Sequence, residues 1–109
     1  MYPNLGYNIE YKEICLSVFT VVLTKQAKRD LLKMPIHIVR KLQGWIDDIE
    51  NDGLSSVRKI PGYHDEPLKG QRLGQRSIRL SRAYRAIYMM DDDGKIEVVK
   101  VLEVNKHEY

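Results

Sequence analysis

Apolar and polar positions along the chain fall into blocks with different periods. From about Cys15 to Leu23 the residues are apolar and β-branched (Val18, Phe19, Val21, Val22, Leu23), a run that predicts a buried strand. Thr24 then stands where a helix cap belongs. The segment after it, KQAKRDLLKM, consists of helix formers and places Ala27, Leu31 and Met34 at helical spacing. Pro35 closes that helix and opens the next. From Ile36 to Asn51 the stripe is clearest: Ile38, Leu42, Trp45 and Ile49 recur at i, i+4, i+7 and i+11, with Val39 and Ile46 beside them. About 16 residues make roughly 24 Å of amphipathic helix, and Asn51, Asp52 and Gly53 supply its stop.

After Gly53 the period is lost. Pro61, Gly62, Pro67, Gly70 and Gly74 punctuate a connection long enough to suggest a functional loop. Period two then returns. Gln75–Ser81 sets Arg76, Ile78 and Leu80 against Ser77, Arg79 and Ser81, with Ile78 and Leu80 facing inward. Tyr84–Met90 and Lys95–Val104 flank Asp91-Asp92-Asp93-Gly94, a hairpin signal. The order is β-α-α-β-β-β. It predicts an α+β domain in which an antiparallel sheet carries the two N-terminal helices on one face. Residues 1–13, with three tyrosines and no period, read as an irregular extension, and 14–109 as a single domain. No repeat or low-complexity segment interrupts it.

Composition adds two constraints. Apolar residues make up 43% and charged residues 30% of the 109, ordinary for a globular domain. The single cysteine, Cys15, lies in the apolar run ICLSVF; it excludes an internal disulfide and reads as a small buried hydrophobe. No basic segment followed by an apolar one opens the chain, and no run of about 18 apolar residues occurs, so a cytoplasmic protein with no membrane contact is expected.

Charge changes the picture more. The net charge is only +3, but Arg58 to Arg85 holds eight of the 18 Lys and Arg residues and only two acids, Asp65 and Glu66. That segment is therefore +6, and the other 81 residues sum to −3. Such sorting suits a surface that holds a polyanion, although a charge run can equally be a solvated face.

The loop EPLKG (Glu66 to Gly70), the strand pair SIRLSRAYRAIY (Ser77 to Tyr88) and the terminus VLEVNKHEY, in this order of elements, resemble the RelE/ParE superfamily of small bacterial toxins. The resemblance runs from about Val18 to Tyr109. It implies a type II toxin–antitoxin toxin of one of two kinds. One is an mRNA interferase like RelE, YafQ, YoeB or HigB, acting with the ribosome and held in check by a cognate antitoxin. The other is a ParE-like inhibitor of DNA gyrase without nuclease activity. The fold does not separate the two branches.

Cutting RNA without a metal requires a base for the 2′-hydroxyl, cations for the charged phosphorane and an acid for the departing 5′-oxygen. Histidine suits the proton transfers and arginine the phosphate. The chain offers His64, His107 and Tyr109 for protons, and Lys69, Arg72, Arg79, Arg82 and Arg85 for charge. By the resemblance, Arg85 in Tyr84-Arg85-Ala86-Ile87-Tyr88 matches the strand arginine set against the scissile phosphate. His107 matches a C-terminal catalytic basic residue. Tyr109 follows it closer than the family's aromatic does, and His64 stands three residues before Pro67 where many relatives have a histidine adjoining the proline. These four form the expected catalytic set. Lys69, Arg72, Arg79 and Arg82 are expected to position RNA.

The plainer readings are structural. Arg85 could pair with Glu97 or Glu103 across the meander. Trp45 belongs to the core, His37 has no evident partner, and Asp91 to Asp93 form a solvated turn. No metal-ligand spacing, P-loop or dinucleotide motif is present, so neither metal nor cofactor is expected. The expectation is a metal-independent endoribonuclease on mRNA. The gyrase inhibitor and a non-catalytic RNA-binding module are the alternatives.

Overall fold

A computed structural model of the protein describes residues 19–92 and 97–106. Cys15, residues 1–13, Asp93, Gly94, His107 and Tyr109 lie outside the described residues. The elements are β1 (Phe19–Leu23), α1 (Lys25–Leu32), α2 (Ile36–Asp52), a single turn α3 (Leu54–Val57), β2 (Glu66–Pro67), β3 (Gln75–Arg79), β4 (Tyr84–Asp92) and β5 (Glu97–Lys106). Short 3-10 turns cover Pro61–Tyr63 and Gly70–Arg72 within the long connection. None of the described helices is long and apolar enough to cross a membrane.

α1 and α2 begin where the sequence signals place them; α1 ends at Leu32, two residues short of Met34, and the turn α3 lies where the sequence predicts no helix. Thr24 caps α1, its Oγ1 accepting the Ala27 N–H at 3.1 Å. Pro35 precedes α2, and Gly53, at φ 88°, ends it in a conformation that a Cβ would strain. Ile38, Leu42, Trp45 and Ile49 are all buried, so the α2 stripe is the helical half of the core. The sheet supplies the other half through Ile78, Leu80, Ala86, Tyr88, Val99, Val101 and Val104. Trp45 meets Tyr88 with ring centroids 5.1 Å apart at 54°, the tilted geometry that aromatic quadrupoles favour.

The α+β class is as predicted, and the sheet order is β1-β5-β4-β3-β2. β3, β4 and β5 form the expected antiparallel meander. Two features depart from a purely antiparallel sheet of four strands. β1 runs parallel to β5, and Glu66–Pro67 adds a fifth strand on the far edge. Turns fix the sense of strands that follow one another, but β1 and β5 are distant in sequence and no turn constrains them.

One irregularity sets the phase of β5. Its register on β4 shifts between Ile87 and Tyr88: Ile87 faces Glu103 and Tyr88 faces Val101, so Leu102 is an extra residue. Without that bulge, the alternation of Val99 and Val101 would carry Glu103 into the core. With it, Val104 is buried instead and Glu103 turns to the face away from the helices. Three backbone groups near the bulge bond to α1 and its cap, the first as the last rung of the parallel β1–β5 ladder. The Thr24 N–H donates to the Val101 carbonyl (3.0 Å), Thr24 Oγ1 donates to the Leu102 carbonyl (2.7 Å), and the Val104 N–H donates to Asp30 Oδ2 (3.0 Å).

The long connection is fastened to the sheet by Asp65. Its side chain is 1% exposed and accepts from Arg76 Nε at 2.6 Å and from the Tyr88 hydroxyl. Burial, and then the bond to Asp65, push the Tyr88 phenol well above its ordinary range. A second tie joins the Tyr63 hydroxyl to Asp48 Oδ2 at 2.8 Å; burial and that carboxylate raise the phenol to about 12. Arg76 stands opposite Tyr88 in register, so Asp65 lies on the helix side of the sheet. The chain then crosses the edge as β2 and continues on the other side.

Two substitutions separate these anchors. Asp30→Ala leaves the Val104 N–H without its acceptor and should cost about 1–3 kcal/mol in denaturant unfolding. Asp65→Ala leaves Arg76 without its carboxylate and should cost more, about 3–5 kcal/mol.

Candidate functional site

The face of the sheet away from the helices carries the side chains of the opposite phase: Ser77 and Arg79 from β3, Arg85 and Ile87 from β4, Glu103 and Asn105 from β5. The connection that has crossed the edge at β2 brings Leu68 and Arg72 onto the same side. Together they enclose an open cleft of about 430 Å³ lined by Leu68, Arg72, Ser77, Arg85, Ile87, Asn105 and Lys106. That volume lies in the range of small-ligand pockets. Leu68 and Ile87 form its apolar part; Arg72, Arg85 and Lys106 supply positive charge.

Arg85 is held by one donor, Nη1 to Ser77 Oγ at 2.9 Å. Ser77 is 1% exposed, so the anchor is fixed and dry. The alternative pairing of Arg85 with Glu103 does not form; Glu103 binds Arg72 instead, Nη2 to Oε2 at 2.8 Å. Arg79 stands directly opposite Arg85 in register. Like charges in that position repel, and among the described residues no carboxylate forms an ion pair with either. Two unneutralised guanidinium groups side by side on an open face form a surface that an anion would relieve.

The Glu103 carboxylate is drawn into a small network. Asn105 Nδ2 donates to Oε1 at 2.7 Å, Arg72 Nη2 to Oε2, and Arg72 Nη1 donates onward to Gln75 Oε1 at 2.9 Å. The Asn105 bond, and then the Arg72 bond, hold the Glu103 carboxyl below its ordinary pKa of 4.5.

The other sequence candidates fall in different places. His64 lines a separate hollow of about 400 Å³ with Arg58, Ile60, Pro61, Asp65 and Glu66, which shares no residue with the cleft. Its neighbour Asp65 is on the helix side of the sheet and Arg85 is on the other, with the β2 edge between. His64 Nε2 is 3.5 Å from Glu66 Oε2, and its backbone is left-handed at φ 50°. The structure therefore does not bring His64 to Arg85. Lys69 is exposed beside Leu68, and Arg82 is exposed in the connection between β3 and β4; neither lines the cleft. His107 and Tyr109 lie outside the described residues, the first directly after cleft-lining Lys106. Asp91, expected in a solvated turn, is exposed in β4 and pairs with Lys100 at 3.4 Å. Among the described residues no cluster of three His, Cys, Asp or Glu side chains forms a metal site.

Sequence reasoning did not pick out Ser77, Ile87, Asn105 or Lys106. Ile87 and Ser77 share a strand phase with Arg85 and Arg79, a signal that could have found them. For Asn105 the phase depends on the bulge.

No family model and no curated protein sequence matches the chain. Solved structures do. A chain of the RelBE2 toxin–antitoxin complex from Mycobacterium tuberculosis is 26% identical, with 83% of this chain and 99% of that one covered and a TM-score of 0.60. YafQ from E. coli gives 19%, 79% and 90%, with a TM-score of 0.63. A chain of the archaeal RelE–RelB complex from Pyrococcus horikoshii gives 23%, 82% and 94%, with 0.61. The chain has the RelE-type toxin fold. The resemblance carried by the sequence motifs to the RelE/ParE superfamily thus extends to the three-dimensional arrangement, and Arg85 occupies a strand of the RelE-type sheet.

The site predicts its own titration. A carboxyl lowered by folding stabilises the folded state above the unfolded value and loses that contribution as pH falls through the folded value. Glu103 should therefore titrate below 4.5 by carbon-detected NMR, and Arg72→Ala should move it back upward.

Proposed function

We propose that this chain is the toxin of a type II toxin–antitoxin pair and that it cuts mRNA as a metal-independent endoribonuclease in the ribosomal A site. The observation that carries the reading is Arg85: a guanidinium anchored at one nitrogen by buried Ser77, in an open cleft, with no carboxylate of the described residues against it. Its remaining donors are available to the non-bridging oxygens of a phosphodiester, where charge grows as the 2′-oxygen attacks. Arg79 beside it and Lys106 at the end of β5 add to the same field.

In the reaction the 2′-hydroxyl passes its proton to water and attacks phosphorus, the bond to the 5′-oxygen breaks, and a 2′,3′-cyclic phosphate remains. His107, which follows Lys106, is assigned the proton delivered to the 5′-oxygen. Tyr109 is assigned a contact to the substrate near that step. Lys69 and Arg82 are assigned to the RNA backbone outside the cleft. The solved toxin–antitoxin complexes of the same fold support an antitoxin as the natural partner; it would silence the chain by covering this cleft, by displacing the C-terminal segment or by blocking ribosome entry.

Induction of the wild type should arrest growth and create new mRNA 5′ ends at in-frame positions. Arg85→Ala should lower cleavage by roughly 10²–10³-fold, as removal of an oxyanion donor does, and His107→Ala should abolish the new ends. Cleavage should persist in a chelator. Arrest that survives both substitutions, with intact transcripts and a DNA-damage response, would mean gyrase inhibition instead. Binding that weakens with salt and no arrest would mean a plain RNA-binding domain.

A further inference from the structure

Arg72 is a cleft-lining cation with two of its five N–H donors already bonded to neighbouring side chains. Both terminal nitrogens of its guanidinium are engaged, Nη2 by Glu103 and Nη1 by Gln75, and the Glu103 oxygen that does not touch Arg72 is taken by Asn105. The contacts join three segments: the 3-10 turn Gly70–Arg72, the start of β3 and the end of β5. The turn begins at Gly70 and is followed by Gly74, both at positive φ (67° and 96°), and its own backbone ties are local, Arg72 N–H to the Lys69 carbonyl (3.3 Å) and Leu73 N–H to the Gly70 carbonyl (3.1 Å). Leu73 beside it is 80% exposed, so it buries little surface that would hold the loop. The backbone tie from this stretch to a strand is Leu68 N–H to the Gln75 carbonyl, 2.9 Å.

We infer that Glu103 is a positioning residue: it latches the 68–74 loop to β5 through Arg72, so that Arg72 builds the cleft wall and does not itself grip phosphate. Sequence reasoning, which counts Arg72 among the phosphate-binding cations, is revised by this. Among the described residues, the cleft-lining cations without a carboxylate partner are then Arg85 and Lys106, and Glu103 keeps the cleft's net charge one unit lower than a count of its cations gives. The latch stands on geometry alone; its consequence for RNA rests on the function proposed above.

The consequence has an unusual sign. Removing an acid from a nucleic-acid site ordinarily tightens binding only through the general field. Here Glu103→Gln would also free a second arginine fork, because a neutral amide holds Arg72 less firmly than a carboxylate does. The variant should bind RNA several-fold more tightly and cut it more slowly, since the wall that orients the substrate is loosened.

Two measurements decide it. The first is amide hydrogen exchange of residues 68–74 in the full chain. Glu103→Ala and Arg72→Ala should both speed exchange there while leaving α2 unchanged; wild-type exchange in Glu103→Ala overturns the latch whatever RNA does. The second is the salt dependence of binding to a short oligoribonucleotide blocked by 2′-O-methyl groups. With the latch, Arg72→Ala keeps the wild-type slope, and Glu103→Gln steepens it by about 0.7, the value for one added phosphate contact on a single strand. A slope shallower by about 0.7 in Arg72→Ala, with Glu103→Gln unchanged, would make Arg72 a direct phosphate ligand and overturn the inference. If the wild type binds no oligonucleotide at all, the proposed function falls, and the exchange result still decides the latch.

Discussion

The arrangement of the open face depends on how one helix holds one extra residue in a strand. Leu102 is accommodated in β5 because α1 supplies partners for the backbone around it: Thr24 for two carbonyls, Asp30 for the Val104 N–H. A buried amide or carbonyl left alone costs about as much as a lost hydrogen bond or more. Of the groups clustered at this bend, the Leu102 carbonyl and the Val104 N–H depend on those side chains. Thr24 thus does two jobs, starting α1 and securing the strand beneath it. The helical layer and the polar face are coupled through this point, although no helix residue lines the cleft.

The second constraint is the path of the connection between α3 and β3. Asp65 is pinned on the helix side by Arg76 and Tyr88, and only a few residues later Leu68 and Arg72 lie on the other. The edge strand β2 is therefore a hinge in space, if not in motion: it converts a charged stretch that looks continuous in sequence into two surfaces. His64 belongs to one and Arg72 to the other. The +6 segment is divided by the sheet it helps to build.

Much of the fold is legible because its signals are local. The Ile38, Leu42, Trp45, Ile49 stripe, the Thr24 cap, the Gly53 stop and the alternation in β3 and β4 each involve residues within a few positions of one another. Arg85 is legible for the same reason, since its strand motif is contiguous. What sequence could not yield is long-range. Whether β1 runs with β5 or against it, that Asp30 would reach Val104 across 74 positions, and that Glu103 would choose Arg72 over Arg85 all depend on contacts between distant segments. Charge counting also misses that Arg72 pairs with Glu103 and Asp65 with Arg76. It assigns a sign to a residue and does not say whether that charge is already spent.

The bulge also alters how this chain can be compared with others. Counting from Arg85 to the end of β5 measures sequence, not space, because one residue on the way adds nothing to the ladder. A relative lacking the extra residue would present its terminal side chains on the opposite side for the same count. Equivalent groups would then sit one position apart in the two sequences. An alignment that forbids a gap there would set a core valine against a polar cleft residue, and true counterparts would look unrelated. The homology of this stretch is better judged by which face a residue occupies than by its number.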